Sequence, residues 1–136
     1  MQTAICYCGE KRVYDACCKP FHVHLNKGAT PVQLLKAWYS AFVLRLPHVI
    51  LETMVNPAKS HFNEATVRFS PIVWDKIEVL SYDKLTDEAV QSSVTFRLTY
   101  RANEASTIQR QLVECSLFKK VRNRWYYSDA LRVSPA

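Results

Sequence analysis

The stretch VTFRLTYR, residues 94–101, decides the fold class of this chain. Its apolar side chains, Val94, Phe96, Leu98 and Tyr100, alternate with threonine and arginine side chains. A period of two with one apolar and one polar face is typical of an antiparallel strand that buries one face. The stretch therefore predicts a strand whose apolar face covers a core.

Similar alternation on both sides of this stretch predicts a meander of strands at residues 74–83, 107–120 and 124–133. The turns between these strands fall at three polar segments, residues 86–88, 103–104 and 122–124. None of the three contains glycine, which tight primed turns favour. We therefore expect hairpin loops somewhat longer than two residues.

Helical patterns precede the strands. Thr30 and Pro31 are typical of an N-cap and a first helical residue, and apolar residues follow at helical spacing to about Arg45. A second short helix is predicted at residues 48–55 and a weaker helical segment at residues 58–71. Helices followed by a strand meander predict an α+β fold, in which helices pack on one face of a twisted antiparallel sheet.

Composition limits the class of protein. With 136 residues and 49% hydrophobic residues, the chain is long and apolar enough to bury a core, which excludes a disordered or fibrous protein. The formal charge of +6 permits an acidic partner without requiring one. No apolar run approaches the roughly 20 residues of a membrane span, and the first residues lack the order of a secretory signal. These features predict a cytoplasmic protein with no membrane partner.

Four of the five cysteines crowd into CYCGEKRVYDACC, residues 6–18. Cysteines one or two positions apart do not form unstrained disulfides easily, and in a reducing compartment dense cysteine more often binds metal. Two close pairs separated by one loop can converge on a tetrahedral ion, and four thiolates favour zinc. The spacing predicts a closed, structural zinc site ligated by Cys6, Cys8, Cys17 and Cys18.

The neighbours of these cysteines support a metal site. Gly9 supplies the backbone freedom that a tight turn needs, and three cations, Lys11, Arg12 and Lys19, are placed to offset the thiolate charge. We interpret His22 and His24 as ordinary polar residues, although one of them replacing a cysteine as ligand is an alternative. A redox-active or coincidental thiol cluster is a further alternative. The change in composition divides the chain into a zinc knuckle, residues 1–28, and a larger domain, residues 29–136.

The cysteine segment resembles the SEC-C motif, a short zinc-binding module named for the C-terminus of the preprotein translocase ATPase SecA. The matching residues are Cys6, Cys8, Gly9, Tyr14, Cys17 and Cys18. Tyr7, Glu10-Lys11 and Lys19 depart from the pattern, whereas all four ligand positions are kept. The resemblance implies zinc ligation and a role in engaging protein partners.

Three further segments resemble the YchJ-like family of small bacterial proteins: CCKPFH at 17–22, YSAFV at 39–43 and WYYSD at 125–129. This resemblance implies a SEC-C motif joined to a cone-shaped domain like that of nuclear transport factor 2. Several arginines usual in the family are missing, for example around Tyr39 and in the segment 114–118. The resemblance implies no particular biochemical activity.

Cone-shaped domains often enclose a pocket, and the best candidates for polar pocket groups are Glu114, Asp129 and His48. His61 is a further candidate general base. Each residue also has a structural interpretation: Glu114 paired with a strand arginine such as Arg97, Asp129 in a turn, and both histidines exposed near helix ends. We favour the structural interpretation for each of them.

A basic run precedes the aromatic residues 125–127 and contributes four candidate surface cations, Lys119, Lys120, Arg122 and Arg124. Adjacent cations and aromatic rings can hold phosphates and stack on unpaired bases, so RNA or ribosome binding is one hypothesis. A solvated hairpin with its aromatic rings in the core is the more common outcome of such a pattern.

These observations favour a zinc-binding, noncatalytic protein-interaction module whose partner has an acidic surface. One alternative is a small-ligand binder or enzyme that uses the pocket of the cone-shaped domain. The other is binding of nucleic acid through the basic hairpin.

Overall fold

The computed structural model describes residues 4–24 and 27–135. Four antiparallel strands form one sheet in the order β1-β2-β3-β4. The strands are β1 (Val73–Tyr82), β2 (Gln91–Arg101), β3 (Arg110–Val121) and β4 (Arg124–Pro135). The predicted strand meander is therefore confirmed, with end points shifted by a few residues.

Strand β2 shows why the alternation predicted the core correctly. Val94, Phe96 and Leu98 are at most 5% exposed and point to the inner face of the sheet, whereas Arg97 lies on the outer face and pairs with Glu78 of β1 at 3.8 Å. Register shifts in β1 and β4 interrupt the ladders. Such bulges increase the twist and bend a sheet, and they contribute to the curvature of this one.

The helices precede the sheet; the longest of them packs on its inner face, and two others pack against that helix. The four helices are α1 (Lys19–Val23), α2 (Pro31–Val43), α3 (Pro47–Glu52) and α4 (Glu64–Phe69). The predicted start of α2 is confirmed, because Thr30 and Gln33 form a reciprocal capping box and Pro31 occupies the first helical position. Helix α2 ends at Val43, just short of the predicted Arg45.

The two weaker helix predictions were only partly correct. The second helix occupies Pro47–Glu52 and stops before the predicted end at residue 55. The segment 58–71 forms a 3₁₀ turn at Lys59–His61 followed by α4, which Asn63 caps through its side chain. Asn63 favours a new helix start over continuation because its carboxamide accepts a hydrogen bond from the Ala65 N–H.

The β3–β4 turn corrects the expectation of longer hairpin loops. Val121 pairs directly with Arg124, so the turn has only two central residues, Arg122 and Asn123. Both have positive φ, 51° and 65°, as a type I′ turn requires. Asparagine tolerates this conformation well, and the turn forms without glycine. The other two hairpin loops are longer, as predicted.

Helix α2 provides the main packing surface between the helices and the sheet. Trp38 stacks on Tyr127 of β4 with ring centroids 5.1 Å apart and also contacts Phe96 edge-on. Leu34 and Leu35 are completely buried beside it. The core therefore sits between one face of α2 and the inner face of the sheet, as the α+β prediction requires.

The connection after α3 covers part of the free edge of β4. The Tyr127 N–H donates to the Thr53 carbonyl at 2.8 Å, and the Val55 N–H donates to the Tyr127 carbonyl at 2.9 Å. These bonds protect the edge that would otherwise be open to pairing with another chain. Within residues 4–24 and 27–135, no helix has the length and apolar character needed to cross a membrane.

Replacing Phe96 tests the assignment of the core. Phe96 is completely buried, whereas Phe69 is 78% exposed. Phe96→Ala should lower the free energy of unfolding by about 3–5 kcal/mol, because it removes a large apolar side chain and leaves a cavity. Phe69→Ala, the matched control, should change it by less than about 0.5 kcal/mol. Urea unfolding of both variants measures the difference, and equal effects would contradict this core.

Candidate metal centre

A short hairpin at the N-terminus positions the first pair of cysteines. The Cys6 N–H donates to the Arg12 carbonyl at 2.8 Å, and the Tyr14 N–H donates to the Ala4 carbonyl at 3.0 Å. Cys6 and Cys8 are buried, whereas their neighbours Ile5 and Tyr7 are exposed to solvent. The hairpin therefore aims both thiols at the same side.

Gly9 allows the chain to turn back directly after Cys8. Its φ is +92°, a conformation that residues with a side chain rarely adopt. A 3₁₀ turn at Tyr14–Ala16 then leads into α1, and the Cys17 N–H donates to the Tyr14 carbonyl at 3.0 Å. The turn brings Cys17 and Cys18 opposite the first pair.

The four predicted cysteines form one buried cluster. Their sulfur atoms all lie within 4.8 Å of one another, and those of Cys8 and Cys17 are 3.5 Å apart. A zinc ion with four Zn–S bonds of about 2.3 Å would separate its sulfur atoms by roughly 3.8 Å. All four side chains are free thiols, and each is at most 5% exposed. The donor set and its dimensions therefore fit a tetrahedral thiolate-bound metal ion.

Crowding of the four thiols separates their acidities. The hydrogen bond from Cys18 lowers the pKa of Cys8 to about 5, whereas burial raises the pKa of Cys17 to about 12. The hydrogen bond to Cys8 raises the pKa of Cys18 as well. One thiolate forms readily, but repulsion opposes a second unless a cation enters. A divalent ion bound here would take the place of protons at the other sulfur atoms.

The three predicted compensating cations have different positions. The Arg12 guanidinium lies 3.9 Å from the Cys17 sulfur and is placed to offset thiolate charge. Lys19 instead pairs with Asp15 at 3.7 Å, and Lys11 is exposed. Arg12 is therefore the cation with a direct contact to the cluster.

His22 connects the cysteine segment to helix α2. Its Nε2–H donates to the Ala37 carbonyl at 2.7 Å, because a carbonyl can only accept. The neutral ring then accepts the Tyr14 hydroxyl proton at Nδ1, at 2.6 Å, and burial lowers the pKa of His22. Both ring nitrogens are occupied, so His22 does not act as a fifth candidate ligand. His24 is exposed.

The knuckle, defined here as the described residues 4–24, packs directly on the larger domain. The cluster of four cysteines contacts the completely buried Ala37, and the Lys36 ammonium forms a salt bridge with Glu10. A Cβ at position 9 would lie 3.9 Å from the Ile77 carbonyl of β1. Residues 25 and 26 of the connection between the two units lie outside the described residues.

No sequence pattern indicates these docking contacts. His22, Ser40 and Lys36 are ordinary residue types without diagnostic spacing. Ser40 lies one turn beyond Ala37 on the same face of α2, and its hydroxyl is 3.1 Å from His22 Nε2. Such a contact can be predicted only once the knuckle has been placed against this face of the helix.

The three candidate pocket residues do not meet in one site. Glu114 lies on the inner face and accepts hydrogen bonds from the Tyr127 hydroxyl, at 2.9 Å, and from Ser116. It does not pair with Arg97, which contacts Glu78. Asp129 is half-buried farther along β4, and His48 is exposed on α3. None of the three lines the groove beside the start of α2 or the groove beside the start of β1.

The basic hairpin presents its cations on both faces of the sheet. Lys120 pairs with Trp125 and lies over its ring, 5.8 Å from the centroid, whereas Lys119 pairs with Tyr126 on the opposite face. Arg124 shares the face of Lys119, and Arg122 lies in the turn. The run therefore does not form one continuous basic surface.

A groove lies elsewhere, between the first turns of α2, the end of β1 and the start of β2. We call it the α2–β1 groove. Its volume is about 720 Å³, and the lining residues include Pro31, Lys36, Tyr82, Lys84 and Ser92. A smaller cavity of about 180 Å³ beside the cysteines shares Lys36 with it. No local sequence pattern indicates this groove, since its residues come from distant segments.

Comparison with known proteins agrees with this architecture. A family model described as "YchJ, middle NTF2-like domain" matches residues 30–130. A "UPF0225 protein" from Streptomyces avermitilis is 32% identical over 129 residues, which cover 94% of this chain and 84% of the relative. A second, from Actinobacillus succinogenes, is 25% identical over 130 residues, covering 94% and 82% of the two chains.

Two solved structures share the fold. The solution structure of a SEC-C motif containing protein from Rhodopseudomonas palustris has a TM-score of 0.81 and 26% identity, covering 96% of this chain and 100% of that one. The crystal structure of a SEC-C motif containing protein from Psychrobacter arcticus has a TM-score of 0.75 and 24% identity, covering 100% and 85%. The cone-shaped fold and the resemblance to SEC-C proteins are thereby confirmed.

Serine substitutions test the ligand set. Cys8→Ser and Cys17→Ser should each lose most of the bound metal, because a hydroxyl is a poor ligand for zinc compared with a thiolate. Cys115→Ser is the matched control, since Cys115 lies on β3 outside the cluster. Elemental mass spectrometry of untagged protein purified without chelator gives the metal content. Full metal content in both cluster variants would contradict the assignment.

Replacing His22 tests how the knuckle is held. Removing one partner of a buried hydrogen bond costs about 1–3 kcal/mol, so His22→Ala should lower the free energy of unfolding by that amount. It should also speed metal release to a chelator, because the knuckle loses its bonds to Tyr14 and Ala37. The exposed His24→Ala is the control. Indistinguishable release rates for the two variants would show that His22 is not part of the attachment.

Proposed function

The chain belongs to the YchJ-like family, and on that premise we propose that it is a zinc-binding protein whose N-terminal SEC-C knuckle docks on a protein partner. The knuckle contributes binding and no catalysis. The partner presents an acidic surface with apolar residues. The observation that carries this proposal is a solvent-exposed apolar surface on a segment that has almost no core of its own.

The donor set supports a structural zinc ion. Four sulfur donors complete a tetrahedral shell, which leaves no position for the water molecule that a hydrolytic zinc centre activates. Zinc suits four thiolates better than the oxygen-preferring ions do. Such an ion would fold the knuckle and hold its outer surface in one conformation.

The knuckle exposes several apolar side chains. Ile5 and Val13 are bridge partners in the short hairpin, and they are 60% and 37% exposed. Tyr7, on the same side of the chain as Ile5, is 43% exposed. Grouped apolar side chains on a rigid surface are typical of a protein-binding site, and tyrosine is a frequent hot-spot residue. We call these three residues the knuckle face.

Cations surround the knuckle face and favour an acidic partner. Lys11 and Arg12 lie between Tyr7 and Val13 in the hairpin, and both are exposed. Their charges would steer an acidic surface toward the knuckle and discriminate against basic ones. Tyr14, the aromatic residue that matches the SEC-C pattern, is half-buried and bonded to His22. Tyr7 takes its place as the aromatic residue available to a partner.

Paired substitutions on opposite parts of the molecule test this proposal. Wild-type protein with its metal, a Tyr7→Ser/Lys11→Glu variant and a Val121→Ser/Arg122→Glu variant are cross-linked to partners in extract from the native host. Both variants remove one exposed apolar residue and reverse one charge. The knuckle variant should retain the partner at least about tenfold less, since a hot-spot tyrosine contributes about 2 kcal/mol. The hairpin variant should retain it normally.

Metal content must stay unchanged in the knuckle variant, because neither Tyr7 nor Lys11 contributes a sulfur ligand. Loss of the partner only in the hairpin variant would overturn the proposal in favour of the basic hairpin. Equal retention by all three proteins would also overturn it. Nuclease treatment distinguishes a protein partner from an RNA bridge.

A further inference from the structure

We propose that the α2–β1 groove binds a small hydrophobic carboxylate, a ligand with an apolar body and one negative charge. This inference concerns a different surface from the knuckle face and does not rest on the proposed docking function. It rests on the shape of the groove, on a buried hydroxyl group that lines it, and on the charges at its rim.

The groove has the size and walls of a small-molecule site. Its volume of about 720 Å³ falls within the range of about 300–1,000 Å³ that is usual for ligand pockets. Pro31 and Val32 of α2 form one wall, and Val79 and Val94 of the sheet form the other. An apolar ligand body would be removed from water between these two walls.

Ser92 adds a hydroxyl group to this apolar setting. Its side chain is only 3% exposed, and it lies on the inner face opposite Phe118 of β3. In the part of the chain that the structure describes, its hydroxyl has no hydrogen-bond partner, whereas the buried Ser40, Ser116 and Ser128 hydroxyls all do. The Ser92 oxygen is not sealed from solvent, so it opens into the groove. An acceptor atom of a ligand in the groove would accept a hydrogen bond from this hydroxyl group.

The start of helix α2 adds positive potential to the same groove. Thr30, Pro31 and Val32 line it, and α2 is 13 residues long. The Gln33 N–H is bonded to the Thr30 hydroxyl and proline has no N–H. The N–H of Val32, which lies between these two residues, has no partner in residues 4–24 and 27–135. A free amide at a helix N-terminus favours an anion.

The charged residues at the rim favour a ligand with a single negative charge. Lys36 and Lys84 line the groove together with one carboxylate, Asp83. Asp83 accepts hydrogen bonds from the Ser93 N–H at 2.9 Å and from the Ser93 hydroxyl at 3.2 Å. The lining residues alone carry one net positive charge, which the salt bridge of Lys36 with Glu10 outside the lining partly offsets. This balance fits a carboxylate better than a phosphate dianion.

Lys36 remains able to contact the ligand although it already has a partner. Its ammonium forms a salt bridge with Glu10 of the knuckle, and an ammonium group has three N–H donors. Lys36 lines both the α2–β1 groove and the cavity beside the cysteines. A carboxylate in the groove would share this ammonium with Glu10.

Titration with three eight-carbon probes tests the proposal. Metal-loaded, ¹⁵N-labelled protein is titrated with octanoate, octanol or octylammonium, and amide shifts are followed by NMR. We expect octanoate to bind about tenfold more tightly than octanol, as a charge-assisted contact worth roughly 1.4 kcal/mol predicts, and octylammonium to bind least. The shifts should concentrate at Val32, Val79, Ser92 and Val94.

Charge-reversed variants locate the anion. Lys84→Glu should weaken octanoate binding by about tenfold, the same factor as one lost charge-assisted contact. Lys76→Glu makes the same change at a solvent-exposed position on β1 outside the groove and should leave binding unchanged. Both lysines are exposed, and the unperturbed NMR spectrum of each variant checks its fold.

Three results would overturn the proposal. Equal affinity for octanoate and octanol would show that the negative charge of the ligand does not contribute to binding. Equal weakening by the two lysine substitutions would show general electrostatic attraction and no localised site. Absence of binding, or shifts centred on exposed apolar residues of β4 such as Leu131 and Val133, would exclude the groove.

Discussion

Helix α2 is the element on which both parts of this protein depend, because it is buried on two sides at once. Leu34, Leu35 and Trp38 face the sheet, where Trp38 stacks on Tyr127 and fixes the distance between helix and strands. Ala37 and Ser40 face the knuckle. The residues on each face follow helical spacing. One helix of 13 residues therefore holds the domain core and the knuckle together.

The side of α2 that contacts the knuckle explains why a segment with so little apolar core has a fixed position. Ala37 is completely buried against the cysteines, and its small side chain allows close approach. The imidazole of His22 bonds to the helix carbonyl that lies in the same interface. A metal ion would fix the four thiols to one another, whereas His22, Ala37 and the Glu10–Lys36 salt bridge fix the knuckle to the domain. Coordination and attachment therefore rest on different residues.

Much of the fold and of the cysteine cluster was predictable from local sequence because each depends on short-range patterns. The alternation in residues 94–101 identifies β2, Thr30-Pro31 identifies the start of α2, and the spacing of the cysteines identifies their cluster. The β3–β4 turn was predicted wrongly because Arg122 and Asn123 adopt a positive φ that glycine usually supplies. The segment 58–71 was only partly predicted because Asn63 starts a separate helix there.

The groove and the attachment of the knuckle depend instead on contacts between distant segments. Ser92, Lys36 and Lys84 come from β2, α2 and the β1–β2 loop, and no local pattern connects them. Such contacts follow only from the packing of α2 across the sheet. Helix α2 forms a wall of the groove and also contacts the knuckle. A change in the tilt of α2 would therefore alter the groove and the attachment of the knuckle. Lys36 lines the groove and also bonds to Glu10, so such a change would alter its contacts with both the groove and the knuckle.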